Sequence, residues 1–190
     1  MFFPTLQTYI HGMLSKIPWT HWAVIGILSL AVILSVRKKT SGYAAVALGI
    51  STFIGLFLLD TSVLIRYCGY YPHSSGYNFK VDLNRIFHVN GMSRVEIFAN
   101  FAVYIPLGFF LSEHMAVIKR FRPRSQFGLA TLAAFGLSLS IECLQLVLHV
   151  GFFELTDLVM NTLGAFVGAL ISAGLRKVVG ERCESYERSL

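Results

Sequence analysis

The sequence predicts an all-α fold: a polytopic membrane helix bundle of about five transmembrane helices, preceded by an N-terminal interfacial segment. Of the 190 residues, 55% are hydrophobic and only 14% are charged. A soluble domain carries roughly 25% charged residues, so this chain lacks the polar surface that would enclose an apolar core in water. Several apolar stretches reach the length of about 20 residues that a helix needs to cross the hydrocarbon layer.

The N-terminal segment, residues 1–20, is only moderately apolar. It has neither the basic start nor the uninterrupted apolar centre of a cleavable signal peptide. We therefore expect it to lie at the membrane surface, with Trp19 and Trp22 at headgroup depth.

Two transmembrane helices are predicted within residues 21–65, at His21–Val36 and Gly42–Ile65. They carry no recognisable motif. Asp60 lies near the end of the second helix. We expect a helix-end carboxylate that reaches the interface, and a contribution to a functional site is the alternative. Residues 66–94 then form a long polar loop whose mixed second half suggests that it packs on something.

Three further transmembrane helices are predicted at Val95–Leu111, Gly128–Val150 and Leu155–Leu175, followed by a charged tail over residues 176–190. Pro106 is expected to kink the first of them. The inner halves of these spans are expected to carry no ionisable residue.

The net charge of +6 comes from short basic clusters beside apolar runs, which favours a membrane protein over a nucleic-acid-binding one. Lys and Arg are unevenly divided between the two sides of the predicted bundle. Eleven fall on one side: Arg37, Lys38, Lys39, Lys119, Arg120, Arg122, Arg124, Arg176, Lys177, Arg182 and Arg188. Five fall on the other: Lys16, Arg66, Lys80, Arg85 and Arg94. This asymmetry predicts an N-terminus outside, a cytoplasmic C-terminus and an extracytoplasmic loop.

Polar residues recur at helical spacing in the last two spans. In each span the intervals are four, three and four residues, which places each set on one side of its helix. The two sets are Ser138, Glu142, Gln145 and His149, then Asp157, Asn161, Gly164 and Gly168. By the rise of a helix, Asn100, Glu142, Gln145 and Asn161 lie roughly 8–12 Å below the outer ends of their spans, and Asp157 lies above Asn161. This shared depth predicts an outer-leaflet pocket. Its predicted ligand-binding residues are Asn100, Glu142, Gln145, Asp157 and Asn161.

Simpler interpretations of these residues stay open. Glu142 and Gln145 could only hold helices together, through hydrogen bonds to Asn161 or Asn100. Asp157 could be a helix N-terminal carboxylate stabilised by the helix dipole. Helix packing is the expected role of Pro106, Gly108, Gly164 and Gly168, with Gly164 and Gly168 holding the fourth and fifth helices together.

Metal and cofactor chemistry are not expected. His149 and His88 are expected to be interfacial polar residues, and the chain has no HxxxH or HxxE spacing. Cys68, Cys143 and Cys183 fit neither a metal site nor a disulfide framework.

Three sequence blocks resemble the VanZ-like family of small polytopic membrane proteins. They show the patterns Asn-x5-Pro-x-Gly, Glu-x-x-Gln and Asp-x3-Asn-Thr-x-Gly, at residues 100–108, 142–145 and 157–164. The resemblance implies a VanZ-like three-helix core over residues 95–175 and a place in the bacterial inner membrane. A named member of the family is associated with low-level resistance to teicoplanin, a lipid-tailed glycopeptide.

The favoured hypothesis is therefore a cell-envelope membrane protein that binds or processes an amphiphile, such as a lipid-linked precursor or a lipidated antibiotic. One rival is an intramembrane enzyme that uses Glu142 and Asp157 as an acid–base pair. Another is a structural membrane subunit whose polar residues only join helices. Transport is disfavoured, because charges confined to the outer half provide no relay to the cytoplasm.

Overall fold

The structure is a computed structural model that describes residues 7–8, 11–12, 14–69, 75–81, 91–117 and 123–187. Residues 1–6 of the predicted interfacial segment lie outside the described residues, as do residues 82–90 of the loop, His88 included. Five helices in the described part are long and apolar enough to cross a membrane. The predicted all-α polytopic bundle is confirmed.

The first two spans form an antiparallel pair. They are followed by a short strand, two long helices, a second strand and a final helix. The elements are α1 (Trp19–Arg37), α2 (Gly42–Leu59), a π-helical turn (Asp60–Leu64), α3 (Ile65–Tyr67), β1 (Gly76–Asn78), α4 (Gly91–Val117), α5 (Pro123–Val147), β2 (Phe152–Glu154) and α6 (Leu155–Glu187).

Helix α1 lies at the edge of the bundle, against α2. The Trp22 ring stacks on Phe53 and Phe57 of α2, with centroids 6.3 and 5.4 Å away. Trp19 is exposed, and its predicted position at headgroup depth stays a prediction. At the start of α2, the Ser41 hydroxyl accepts a hydrogen bond from the Ala44 backbone N–H and caps the helix.

Helices α4 and α6 pack backbone to backbone through glycines. A Cβ added to Gly164 would meet the Phe101 carbonyl oxygen, and one added to Gly168 would meet that of Ile105. Gly108 makes the reciprocal contact with the Ala165 backbone. Gly164 and Gly168 were expected to hold the fourth and fifth spans, α5 and α6, together. That expectation is wrong about which helix α6 contacts through these glycines. These glycines face the third span, because small residues on both helices permit the closest approach there.

A two-stranded parallel pairing joins the long loop to the turn before α6. Gly76 pairs with Phe152 and Asn78 with Glu154. Gly76 leaves room for the Phe152 ring, since a Cβ there would lie 2.7 Å from Phe152 Cε1. The first half of the loop thus packs on the α5–α6 turn. The second half, for which the sequence predicts packing, lies outside the described residues. Helical periodicity gave no sign of these strands, which are three residues each.

The turn after α5 reverses the chain sharply. His149 has a φ of 55°, in the left-handed region that histidine tolerates better than most non-glycine residues. The Val150 N–H donates to the Gln145 carbonyl oxygen at 3.0 Å and closes the helix end. This reversal folds β2 back towards α5.

Candidate functional site

A cavity of about 360 Å³ lies between α2, α4, α5 and α6, at the end of the bundle that carries β1 and β2, here called the strand end. All five residues predicted to bind a ligand line it: Asn100, Glu142, Gln145, Asp157 and Asn161. The predicted convergence of polar side chains from separate helices is therefore found in the structure.

Glu142 connects α5 to the start of α6. Its side chain is buried, with 4% of the residue exposed, and Oε2 accepts a hydrogen bond from the Glu154 backbone N–H at 2.8 Å. Glu154 immediately precedes α6, so the carboxylate lies at a helix N-terminus, where the helix dipole favours negative charge.

Asn161 and Ser138 join α6 to α5. Asn161 Nδ2 donates to Ser138 Oγ at 2.9 Å, and both residues are buried. Asn161 Oδ1 has no hydrogen-bond partner among the described residues, although it is a buried acceptor. The sequence left open a direct Glu142–Asn161 bond, but the hydrogen bonds of these side chains join Glu142 to the Glu154 backbone and Asn161 to Ser138.

Gln145 connects α5 to the π-helical turn. Its Nε2 donates to the Ser62 carbonyl oxygen at 3.0 Å. Asp157 occupies the first turn of α6 and Asn100 lies within α4, both in the cavity wall. Three helices and the π-helical turn therefore hold the predicted residues in place.

The cavity wall also contains charged residues that the sequence analysis did not assign to it: Arg66, Glu96 and Glu154. Glu96 precedes Asn100 by four residues, so helical spacing could have identified it. Arg66 follows the π-helical turn. Nothing in the sequence predicted this turn or the direction that the chain takes after it. Among the described lining residues, four carboxylates accompany this one guanidinium.

Asp60 does not line the cavity. It is 2% exposed, and its Oδ1 lies 2.7 Å from His21 Nδ1 on α1. The carboxylate is therefore buried against α1 and is not exposed at the end of a helix. The π-helical turn, in which Asp60 is the first residue, belongs to the packed interior between the first two spans.

A second buried polar cluster lies at the opposite end of the bundle, around Glu113. Its Oε2 accepts from the Tyr43 hydroxyl at 2.6 Å, and its Oε1 accepts from Arg176 Nη1 at 2.6 Å and Ser172 Oγ at 2.5 Å. The inner halves of the spans were expected to carry no ionisable residue. This expectation is wrong, because α4 continues past its predicted end at Leu111 and so includes Glu113.

The described residues offer no metal site, since no group of three His, Cys, Asp or Glu side chains in that part of the chain is arranged to hold an ion. His149 lies outside the cavity wall, and its Nδ1 is 3.2 Å from Ser75 Oγ in the loop. Cys68 and Cys143 are free thiols.

Comparison with protein families gives one assignment that covers most of the chain. The family model described as VanZ/LLP1 matches residues 28–176, a range that includes every described residue lining the cavity. No curated protein and no solved structure matches the chain significantly. The family match agrees with the three sequence blocks and with the membrane-spanning bundle, and the chain belongs to the VanZ/LLP1 family.

Proposed function

We propose that this VanZ/LLP1 family protein binds or processes an amphiphilic molecule of the bacterial cell envelope through the cavity at the strand end. One observation carries the proposal. Five polar residues, predicted from helical spacing and from depth below the ends of the spans, line a single cavity between helices whose outer surfaces are apolar. A polar cavity at membrane depth requires a polar occupant or water, because lipid tails cannot satisfy its groups.

The size and surroundings of the cavity suit an amphiphile. A volume of about 360 Å³ accommodates a head group but not a complete lipid. The outer faces of the neighbouring helices are apolar at the same level, with Phe98 and Leu144 exposed. The head group would occupy the cavity, and the tail would lie along these lipid-facing surfaces. Asn100, Gln145 and Asn161 would orient the head group, while Glu142 and Asp157 would accept its hydrogen bonds or protons.

The distribution of Lys and Arg supports an outer-leaflet position for the cavity. The strand end is on the side with five basic residues, and the opposite end is on the side with eleven. In the bacterial inner membrane, this orientation directs the cavity towards molecules on the outer side of that membrane.

A structural role for the same residues is the second candidate. The observation that favours it is the set of bonds from Glu142, Gln145 and Asn161 to neighbouring segments. The two candidate functions predict different results for Glu142→Gln, because a glutamine carbonyl can still accept from the Glu154 N–H but carries no charge.

The test compares molecules that copurify with wild-type protein, Glu142→Gln and Asp60→Asn in a mild detergent, identified by mass spectrometry. Asp60→Asn is the matched control, because it also replaces a buried carboxylate with its amide but lies outside the cavity wall. We expect an amphiphile that is enriched with wild type and Asp60→Asn and depleted with Glu142→Gln. Identical sets from all three proteins would favour the structural role.

A further inference from the structure

We propose that the cavity binds an uncharged polyhydroxyl head group, such as a sugar, whose hydroxyls donate to Glu142 and accept from Arg66. This inference rests on the proposed function and specifies the chemical class of its amphiphile. A carboxylate only accepts hydrogen bonds and a guanidinium only donates them, whereas a hydroxyl does both. A head group with several hydroxyls can therefore satisfy a cavity wall that contains both kinds of side chain.

Glu142 provides an acceptor that the protein leaves unused. The residue is 4% exposed and lines the cavity. Its Oε2 accepts from the Glu154 N–H at 2.8 Å, whereas Oε1 has no hydrogen-bond partner among the described residues. Fully buried, unpartnered side-chain atoms in that part of the chain are Asp60 Oδ2 and Asn161 Oδ1. Glu142 Oε1 is not one of them, so it keeps surface open to the cavity and needs a hydrogen-bond donor.

Arg66 provides donors that the protein leaves unused. Its guanidinium lines the cavity and forms no ion pair or hydrogen bond with a described residue, although four carboxylates share the wall. A Cβ at Gly151 would lie 3.1 Å from Arg66 Nη1 and 3.0 Å from Gln145 Nε2, so the two side chains are neighbours. Gln145 Nε2 donates to the Ser62 carbonyl oxygen, which leaves the guanidinium as the charged donor at this level.

The donor and the acceptor are close enough for one small head group. Gln145, beside Arg66, follows Glu142 by three residues on α5. The two levels are therefore roughly 4.5 Å apart along the helix axis and on the same side of it. Hydroxyls of a single sugar ring are spaced over such distances. Asn100, on α4, lines the same cavity with an amide that bonds to no described residue and can both donate and accept.

The apolar part of the wall suits the ring of a sugar. Phe57 and Phe152 line the cavity together with the polar side chains. The C–H groups of a sugar ring pack on aromatic rings, while its hydroxyls project outward to polar side chains. A wall with rings, carboxylates, amides and a guanidinium therefore matches both parts of this head group.

A charged head group would meet repulsion in this cavity. An anionic group at Arg66 would lie near the Glu142 carboxylate, and a cationic group at Glu142 would lie near the Arg66 guanidinium. Such repulsion is strong where the dielectric is low. An uncharged polyol bonds to both side chains without this cost.

The experiment measures the affinities of four probes for the full chain by isothermal titration. The protein is held in micelles of octaethylene glycol dodecyl ether, a detergent without a sugar, and protein-free micelles are the blank. Three probes have an octyl tail: octyl glucoside, octyl phosphate and octyl tetraethylene glycol, whose ether oxygens only accept. The fourth, methyl glucoside, has the sugar without the tail. We expect wild type to bind octyl glucoside at least about tenfold more tightly than each other probe.

Two variants remove opposite parts of the site. Glu142→Gln replaces the charged acceptor, and Arg66→Met removes the guanidinium donors. Each should weaken octyl glucoside binding at least about tenfold, because hydrogen bonds to charged groups are the stronger ones. Asp60→Asn and Arg37→Met are the matched controls and should keep the wild-type affinity. Asp60 is a buried carboxylate outside the cavity wall, and Arg37 is an exposed guanidinium at the end of α1.

The outcomes separate this inference from the proposed function. Equal affinities of the three octyl probes for wild type, weakened by Glu142→Gln, would overturn the polyol assignment and leave amphiphile binding supported. Tightest binding of octyl phosphate would overturn it in favour of an anionic head group. Octyl glucoside binding that survives both Glu142→Gln and Arg66→Met would show that the sugar binds elsewhere.

Two further outcomes concern the tail. Methyl glucoside that binds as tightly as octyl glucoside, and is lost in both variants, would support the polyol site and contradict an amphiphilic ligand. Absence of octyl glucoside binding would overturn the polyol assignment, while copurification decides amphiphile binding independently.

Discussion

Glu142 makes a hydrogen bond that its amide could also make, so charge and hydrogen bonding can be separated at this position. Glutamine can accept from the Glu154 N–H, as Glu142 does at 2.8 Å. Replacement also removes the cost of holding a charge in low dielectric. We expect Glu142→Gln to keep the unfolding midpoint within a few degrees of wild type, or to raise it, while ligand binding is lost. Full ligand binding by Glu142→Gln would contradict the proposed role.

Ser138 allows a matched test of the link between α5 and α6. Removing its hydroxyl leaves the buried Asn161 amide without an acceptor, which should cost about 1–3 kcal/mol. Ser140 lies two residues away, is exposed and donates only to the Gly136 carbonyl of its own helix. Ser140→Ala should change stability by less than about 0.5 kcal/mol. Unfolding in mixed micelles measures both variants, and equal losses would show that the Asn161–Ser138 bond contributes nothing.

Sequence spacing succeeded at the residue scale where helical geometry alone decides which side chains share a face. The four–three–four pattern predicted that Glu142 and Gln145 share one side of their helix and that Asn161 lies on one side of the next, and all three line one cavity. It could not assign Arg66, whose direction depends on a π-helical turn. It also missed Glu113, because apolar length alone ended the helix too early.

At the scale of elements, the glycine contact between α4 and α6 holds the two longest helices together. Gly168→Ala would place a methyl group against the Ile105 carbonyl, and overpacking of this kind costs about 1–3 kcal/mol. Gly174 lies on the same helix with open space around it, so Gly174→Ala should be neutral or stabilising by up to about 1 kcal/mol. The difference in unfolding midpoint between these variants measures the contact. A Gly168→Ala protein as stable as Gly174→Ala would exclude close packing at this site.

The Glu113 cluster joins three spans at the opposite end. Glu113→Gln should lower stability by roughly 1–3 kcal/mol, because partly buried Arg176 would lose its ionic partner. Once Glu113 is replaced, Arg176→Gln should cost less than it does in wild type. A double-mutant cycle on unfolding free energies measures this coupling. Strictly additive losses would show that the pair is not energetically linked.

Which helices touch was harder to predict than how many there are. Apolar length identifies each span, since the bilayer sets one requirement for all of them. Partner choice depends on small residues on both helices, and the contacts of Gly108 with Ala165 and of Gly164 with Phe101 are known only once α4 and α6 are placed together. The strands gave no periodic signal, because three residues of β-pairing are too short for one.

At the scale of the whole molecule, the uneven distribution of basic residues predicts one orientation. A reporter active only in the cytoplasm should function after Leu190 and within residues 119–124, and should fail within residues 74–77. The eleven-to-five division of Lys and Arg is the physical reason. Signal from the fusion within residues 74–77 would reverse the orientation and place the cavity in the inner leaflet.

The strand pairing has a consequence for the order of assembly during synthesis. Gly76 and Phe152 are 76 residues apart, so the parallel pair cannot form until about four-fifths of the 190 residues have left the ribosome. Asp157 and Asn161, in the cavity wall, emerge later still. The first four spans can therefore enter the bilayer while the cavity is still incomplete. The cavity wall is complete only after the last helix docks. Ligand binding can therefore be used to measure how much of the protein has inserted completely.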